Sequence, residues 1–484
     1  MEAGLPDNPR LTRSKTTRPN TGIVHLGPGA FFRAFNAVYT AEAMAKTPGD
    51  WGITAVSLRS PDIRDRLLPQ GCAYLSVTLT PEGHKYQQIE AINEVLVAPE
   101  DPGAVLAAMA DPSVKIVSLT VTEKGYCHNP ATGRLRMDDP DIIHDLAHPD
   151  APRSAPGFLV HALAQRRAAG LAPFTVLSCD NLPHNGTLVR NVVLEFARAL
   201  DLDLADWIAA EGRFPATMVD RITPATTVAD IAAVAEATGH EDQACVMHEP
   251  FRQWVIEDDF VGDERPSWDT GGAQFVRDVA AFETMKLRCL NGTHSTLAYL
   301  GYLAGYETIA QTVADPAFAG LIDDLWRTEI IPTVPQPEGE DLLAYCASLK
   351  TRYLNPAIRH RTWQIAMDGS QKLPQRLLGT IRDNLAAGRA VPRLALAVAG
   401  WMRYVGGVDE KGAAIEVKDP LASELRAAFD AGDSPVQKVA NLLAIRDIFD
   451  ADLAANPEFR TVVTTSFEAL TAKGSLQVVR DLTA

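Results

Sequence analysis

The sequence predicts an α/β N-terminal domain with a parallel-rich sheet, followed by a mostly α-helical C-terminal domain. Three observations carry this reading. Up to about residue 280, short apolar β-branched runs alternate with helical stretches, the pattern of a parallel sheet covered by helices. Beyond that point the strand signal fades and helix-like segments follow one another. The chain is also 484 residues long, more than one ordinary hydrophobic core accommodates.

Ile23–Leu26, Gly52–Leu58, Val114–Val121 and Phe174–Ser178 read as strands buried on both faces. Ala34–Ala45 and Gly157–Ala169 read as helices between them. In the second half, helices are predicted over Met285–Gly305, Phe318–Glu329, Leu342–Leu349, Gln375–Ala386, Leu394–Tyr404 and Val436–Phe449. Asp315-Pro316, Asn355-Pro356 and Asp419-Pro420 punctuate them. The boundaries that follow are a loose polar arm over residues 1–22, an α/β domain over 23–280 and a helical domain over 281–484.

Composition narrows the function. A net charge of −16 argues against nucleic acid or an anionic membrane as partner, because both need a basic surface. A few local arginines still suffice to hold one carboxylate. The six cysteines are scattered, without a CxxC pair or a Cys/His grouping, which suits reduced thiols and gives no metal site. No apolar run reaches membrane-spanning length, and the N-terminus lacks the apolar stretch of a signal peptide. A cytoplasmic protein with a small-molecule ligand is expected, as a monomer or weak homodimer.

The segment from Ile23 to Arg33 is a strand running into a glycine turn and then a helix. Gly27 permits the tight turn, Gly29 allows close approach of a pyrophosphate, and the helix N-terminus favours its charge. This is the place of the motif in a Rossmann-type domain. The third glycine is absent, with Phe32 in its place. Phe31 and Arg33 flank the turn as further cofactor candidates. Where the second strand ends, a dinucleotide site usually has an acid for the ribose, but here Arg59 comes first and Asp62 follows. Arg59 either stacks on adenine or meets a 2′-phosphate, and Asp62 can reach the ribose. NAD or NADP is open on these residues. Thr122 and Lys124 end another strand and are candidates for the same site.

Lys286, Asn291 and His294 open the helical domain. On an α-helix Asn291 lies about 140° and His294 about 80° round from Lys286, so all three share one broad face. Hydride transfer without zinc needs a base for the alcohol proton and donors for the developing alkoxide. A buried lysine, an asparagine amide and a histidine supply these; a solvated lysine and a core histidine give the same spacing. Asp180, Asn181 and Asn185 follow a strand, where ligands sit in open α/β sheets, although turns favour the same residues. Asp220 beside Arg221 either orients a catalytic group or forms a structural ion pair. Arg361 and Lys372 lie in stretches that concentrate positive charge, suited to a carboxylate or to a surface patch.

Together the stretches GPGAFFRAF, SLTVTEKGY, SCDNLPHNG, MVDRITP, EPFRQWVIEDDF and KLRCLNGTHSTLAYLGYLAG resemble the long-chain mannitol dehydrogenase family, in order and over nearly the whole chain. The resemblance implies metal-free hydride transfer with NAD. It implies Lys286 as general base, Asn181 and Asn291 as the pair polarising the substrate oxygen, His294 as a hydroxyl ligand and Asp220 as a polar supporter. The family's first turn commonly reads FHRAH, so Phe32 and Phe35 stand where histidines are usual. Gln364 stands where polyol-acting members often have arginine. HRTWQIAMDGSQKLPQRLL and AGWMRYVGGVDEKG look closer to the hexonate branch, which tilts the substrate towards D-mannonate/D-fructuronate rather than D-mannitol, arabinitol or a related alditol. A non-catalytic dinucleotide-binding protein is the remote alternative, since fold alone does not exclude it. Activity is expected to survive exhaustive chelation; inactivation reversed by added zinc would overturn the metal-free expectation.

Overall fold

The computed structural model describes residues 8–483 apart from 15 and 131. The chain forms two compact units that meet in sequence at Ala280 and Ala281. The first unit holds the strands, in chain order β1 (Thr21–Leu26), β2 (Gly52–Ser57), β3 (Tyr74–Thr80), β4 (Gly83–Ile89), β5 (Ile92–Val97), β6 (Ile116–Leu119), β7 (Thr175–Ser178), β8 (Thr217–Asp220), β9 (Val246–His248), β10 (Gln253–Glu257) and β11 (Gln274–Val276).

Five of them form a parallel sheet in the order β5-β2-β1-β6-β7. Successive side chains of a strand go to opposite faces. Val24, Leu26, Val117, Leu119 and Val176 therefore share one core with Leu106, Phe158, Val192 and Phe196. Those four come from the helices Pro102–Ala110, Ala155–Ala168 and Asn185–Leu200. Ile23, Ile53, Ala55, Ile116 and Leu177 form the opposite core. That second face is covered by the helix Asn36–Lys46 and by two short sheets, β11-β10-β8 and β4-β3-β9, where only helices were expected. Phe35 and Tyr39 pack on Trp254, which packs on Trp268, and the Trp268 indole donates to Thr40 Oγ1 at 3.0 Å.

The arm expected to be loose is docked over its described part; residues 1–7 lie outside the described residues. Leu11 is buried and its N–H donates to Glu241 O at 2.8 Å. The Arg13 guanidinium donates to the carbonyls of Gly71, Glu90 and Ile92. Three otherwise idle acceptors on one planar fork outweigh the freedom of a polar segment. Strand β5 was missed because Asn93 and Glu94 break its apolar run. Both side chains are employed inside the fold, Asn93 donating to Pro19 O and Glu94 accepting from Thr54 Oγ1.

The second unit is helical. Thr293–Leu303 packs on Pro392–Val405, which packs on Pro457–Lys473. Pro392–Val405 buries most of its circumference, including Leu394, Val398, Trp401 and Val405. Three stretches are wound as π-helix: Lys286–Gly292, Trp326–Ile330 and Pro374–Leu378. Among the described residues no helix is long and apolar enough to cross a membrane.

His25 stands in the middle of β1, wholly buried. Its Nδ1 lies 2.8 Å from Ser118 Oγ, its Nε2 lies 2.9 Å from Thr120 Oγ1, and its ring stacks on Phe32 with centroids 3.6 Å apart. Burial pulls its pKa down to about 3. The unfolded chain, with an ordinary histidine, binds the proton first. Stability from this neutral ring is therefore full above pH 6.5 and drains away as pH falls towards 3. Between pH 7 and pH 5 the wild type should lose about 2 kcal/mol more than a His25→Gln variant. Urea unfolding of both proteins at the two pH values checks this, and parallel losses would remove His25 as the source.

Candidate active site

At the end of β1, Gly27 takes φ +91°, and a Cβ there would fall 2.3 Å from Thr120 O. Only glycine fits. Its N–H donates to Val56 O, and its carbonyl accepts from Thr120 Oγ1 at 2.7 Å. Gly29 differs in kind: the space beside it is open, with Gly27 O at 3.9 Å the nearest atom. Arg33 turns inward and donates to Pro28 O at 2.6 Å, bracing the turn from beneath.

A cleft of about 470 Å³ lies along this carboxyl edge of the sheet. Of the expected cofactor residues, Gly27, Gly29, Arg33, Arg59, Thr122 and Lys124 line it. Phe31 does not; it stacks on Phe35 against the sheet core. Asp62 does not either, and its carboxylate accepts from Ser60 Oγ. Sequence reasoning missed Asp141, Arg153 and Ser154, which line the same cleft. They come from the long connection between β6 and β7, where helix-capping residues were the only local signal.

The turn after β6 is strained. Thr122 has φ +66°, rare for a β-branched residue. Asp180 holds it there, accepting from the N–H groups of Val121 and Thr122, both at 2.9 Å, and from Tyr126 Oη at 2.7 Å. Burial pushes the Asp180 carboxyl up, while these three donors pull it back. Asn185 was expected at the substrate. It is buried instead, donating to Asp180 O and Thr217 O and accepting from Thr217 N–H. Its amide is committed to tying β7 to β8. Asn181 is exposed, and Asp220 is buried at the end of β8. Arg221 reaches the carbonyls of Ala34 and Glu249.

In the second unit, Lys286 and Asn291 fall within the π-helix, with Lys286 buried. This corrects the α-helical angle: with i→i+5 bonding the turn is wider, and Asn291 lies closer to Lys286 round the axis than the α-helical value gives. The wider turn frees carbonyls from the ordinary ladder, and side chains take them up. Thr293 Oγ1 and the Trp326 indole donate to Cys289 O, and Tyr353 Oη donates to Leu290 O. A Cβ on Gly292 would sit 2.9 Å from Arg376 O, so the helix is pressed against its neighbour here.

One turn on, His294 is buried, with the His360 ring 4.6 Å and the Tyr353 ring 5.1 Å away. Its Nε2 has no hydrogen-bond partner. Burial first, then the neighbouring His360 and the charges of Arg376, Arg352 and Lys372, hold it well below the usual histidine range. Burial and Lys372 bring His360 down to about 4. Lys372 donates to Met367 O at 2.6 Å, and burial followed by Arg376 pulls it down to about 8. Arg361, expected beside the substrate, is exposed and caps the helix Thr362–Ala366 through its backbone; His360 takes the inward position. Among the described residues no group of three or more His, Cys, Asp or Glu side chains is arranged to hold a metal.

A parallel sheet with a glycine turn closing its central strand, under a cleft at the carboxyl edge, defines a Rossmann-type domain of the dinucleotide-binding class. The chain belongs to the mannitol dehydrogenase family of oxidoreductases: residues 21–270 match its Rossmann domain and 278–471 its C-terminal domain. It is 48% identical to D-mannonate oxidoreductase of Escherichia coli K12 over 472 residues, 96% of each chain. It is 40% identical to mannitol 2-dehydrogenase of Aspergillus terreus over 466 residues, 95% of this chain and 92% of the relative. The solved mannitol 2-dehydrogenase of Pseudomonas fluorescens, in ternary complex with NAD and D-mannitol, superposes with a TM-score of 0.84 at 38% identity, covering 98% of this chain and 97% of that one.

The Asp180 clamp is testable alone. Asp180→Asn puts an amide against donors and should lower stability by about 1–3 kcal/mol. A urea series measures this, and an unchanged midpoint would show that the carboxylate does not hold the Thr122 turn.

Proposed function

We propose that this protein is an NAD-dependent oxidoreductase interconverting a secondary alcohol of a hexonate and its ketone, best matched by D-mannonate and D-fructuronate. The observation that carries the hexonate is the set of cations around His294. Arg352, Lys372 and Arg376 bear on one neutral imidazole, in a chain of net charge −16. Asp368 lies 4.0 Å from Lys372 and offsets part of this charge; a substrate carboxylate would add to that offset, as an alditol would not. The 48% identity to a D-mannonate oxidoreductase supports the same reading. The D-mannitol held by the solved relative favours an alditol as the second reading.

The cleft fits a dinucleotide, because the open flank of Gly29 leaves room that a side chain would fill. Bound there, NAD supplies the hydride acceptor. Lys286 takes the hydroxyl proton. The amides of Asn181 and Asn291 donate to the oxygen as its charge grows. His294, through Nε2, holds a neighbouring hydroxyl, Asp220 supports the polar site, and Lys372 faces the carboxylate.

Lys286→Ala should lower kcat by about 10²–10⁴ with the thermal midpoint retained, as loss of a general base does. Near-normal turnover would remove Lys286 from the mechanism. A panel of D-mannonate, D-mannitol and D-arabinitol with NAD tests the substrate; a higher kcat/KM for either alditol would overturn the hexonate assignment.

A further inference from the structure

Strand β2 ends in Ser57, Leu58, Arg59 and Ser60, without the acid that such sheets commonly present to the adenosine ribose. Asp62 does not take that place, since it lies outside the cleft lining and is engaged by Ser60. A carboxylate comes instead from a different element. Asp141, near the start of the helix Pro140–Ala147, lines the cleft, and its Oδ2 lies 3.8 Å from Arg59 Nη1. Its backbone is held in place because its N–H donates to the helix cap Asp139 at 3.0 Å. The Asp141 side chain is 28% exposed against 80% for Arg59, so the aspartate is the inner member of the pair. A second hollow of about 480 Å³ shares Leu58, Arg59, Asp141 and Arg153 with the first, which gives an adenine room beyond the ribose.

We infer that Asp141 is the residue that sets cofactor choice, accepting from the ribose 2′-hydroxyl, repelling a 2′-phosphate and keeping Arg59 occupied. The inference rests on the dinucleotide reading above. Without the carboxylate, Arg59 and Arg153 would leave a doubly positive mouth that suits a phosphate.

Binding of two half-cofactors tests it without turnover: 5′-AMP, and adenosine 2′,5′-bisphosphate, which adds the 2′-phosphate. Calorimetry on the wild type should show preference for 5′-AMP. In Asp141→Asn the ratio of affinities should move about tenfold or more towards the bisphosphate, the size of one charge–charge contact at a partly exposed site. Adding Arg59→Ala to that variant should abolish the gain. kcat/KM with NAD and NADP should follow the same order. An unchanged ratio, or equal weakening of both nucleotides, would overturn the inference while leaving the dinucleotide site standing. A wild type that binds neither nucleotide would overturn the dinucleotide reading and this inference with it.

Discussion

The carbonyl of Gly27 points inward because only a left-handed residue fits beside Thr120, and everything at the carboxyl edge of the sheet is arranged around that fact. Thr120 Oγ1 and His25 Nε2 both meet this oxygen, at 2.7 and 3.2 Å. The imidazole does so while uncharged, since a cation between two strands would lack a counter-charge. Phe32, itself buried, gives His25 an apolar ring to stack on. The turn opposite depends in the same way on Asp180. Two polar groups, one a buried neutral base and one a half-buried carboxylate, thus hold the two walls of the cleft.

The second unit meets the same constraint by another route. Its candidate catalytic lysine and asparagine lie on a widened helical turn, which would leave carbonyls idle in an apolar core. Thr293, Trp326 and Tyr353 supply the missing donors. The turn is therefore specified by side chains as far as 63 residues away in sequence, and it is as rigid as they are. Burial, reinforced by the cations gathered beyond it, keeps His294 and His360 below the usual histidine range.

Much of this was legible in the sequence. Four of the five sheet strands announced themselves as apolar runs, because strands buried on both faces have no polar side to confuse the pattern. β5 did not, since Asn93 and Glu94 are polar yet bonded within the fold. The glycine turn was readable from Gly27 and Gly29, and Lys286, Asn291 and His294 were readable as residues of successive helical turns. The angle between Lys286 and Asn291 was not, because an α-helical value was applied to a segment whose pitch is set by distant donors. Asn185 and Arg361 show what residue type leaves out: it marks hydrogen-bonding capacity, but only the fold says whether backbone or solvent already uses it. Asp141 left no mark, as its meaning arises from facing Arg59 across a gap of some 80 residues of chain.

The aromatic stack on the second face of the sheet has a consequence for synthesis on the ribosome. Phe35 and Tyr39 are made early, whereas Trp254 and Trp268, which cover them, emerge more than 200 residues later. At ordinary translation speeds that is a delay of roughly 10–45 s. Once the helix Asn185–Leu200 has emerged, the nascent sheet has one covered face and one greasy, unclosed one. The arm adds to this, because Leu11 finds its partner only once Glu241 exists. The first unit therefore closes late and all at once, and a chain cut short before Trp268 would be sticky rather than partly folded.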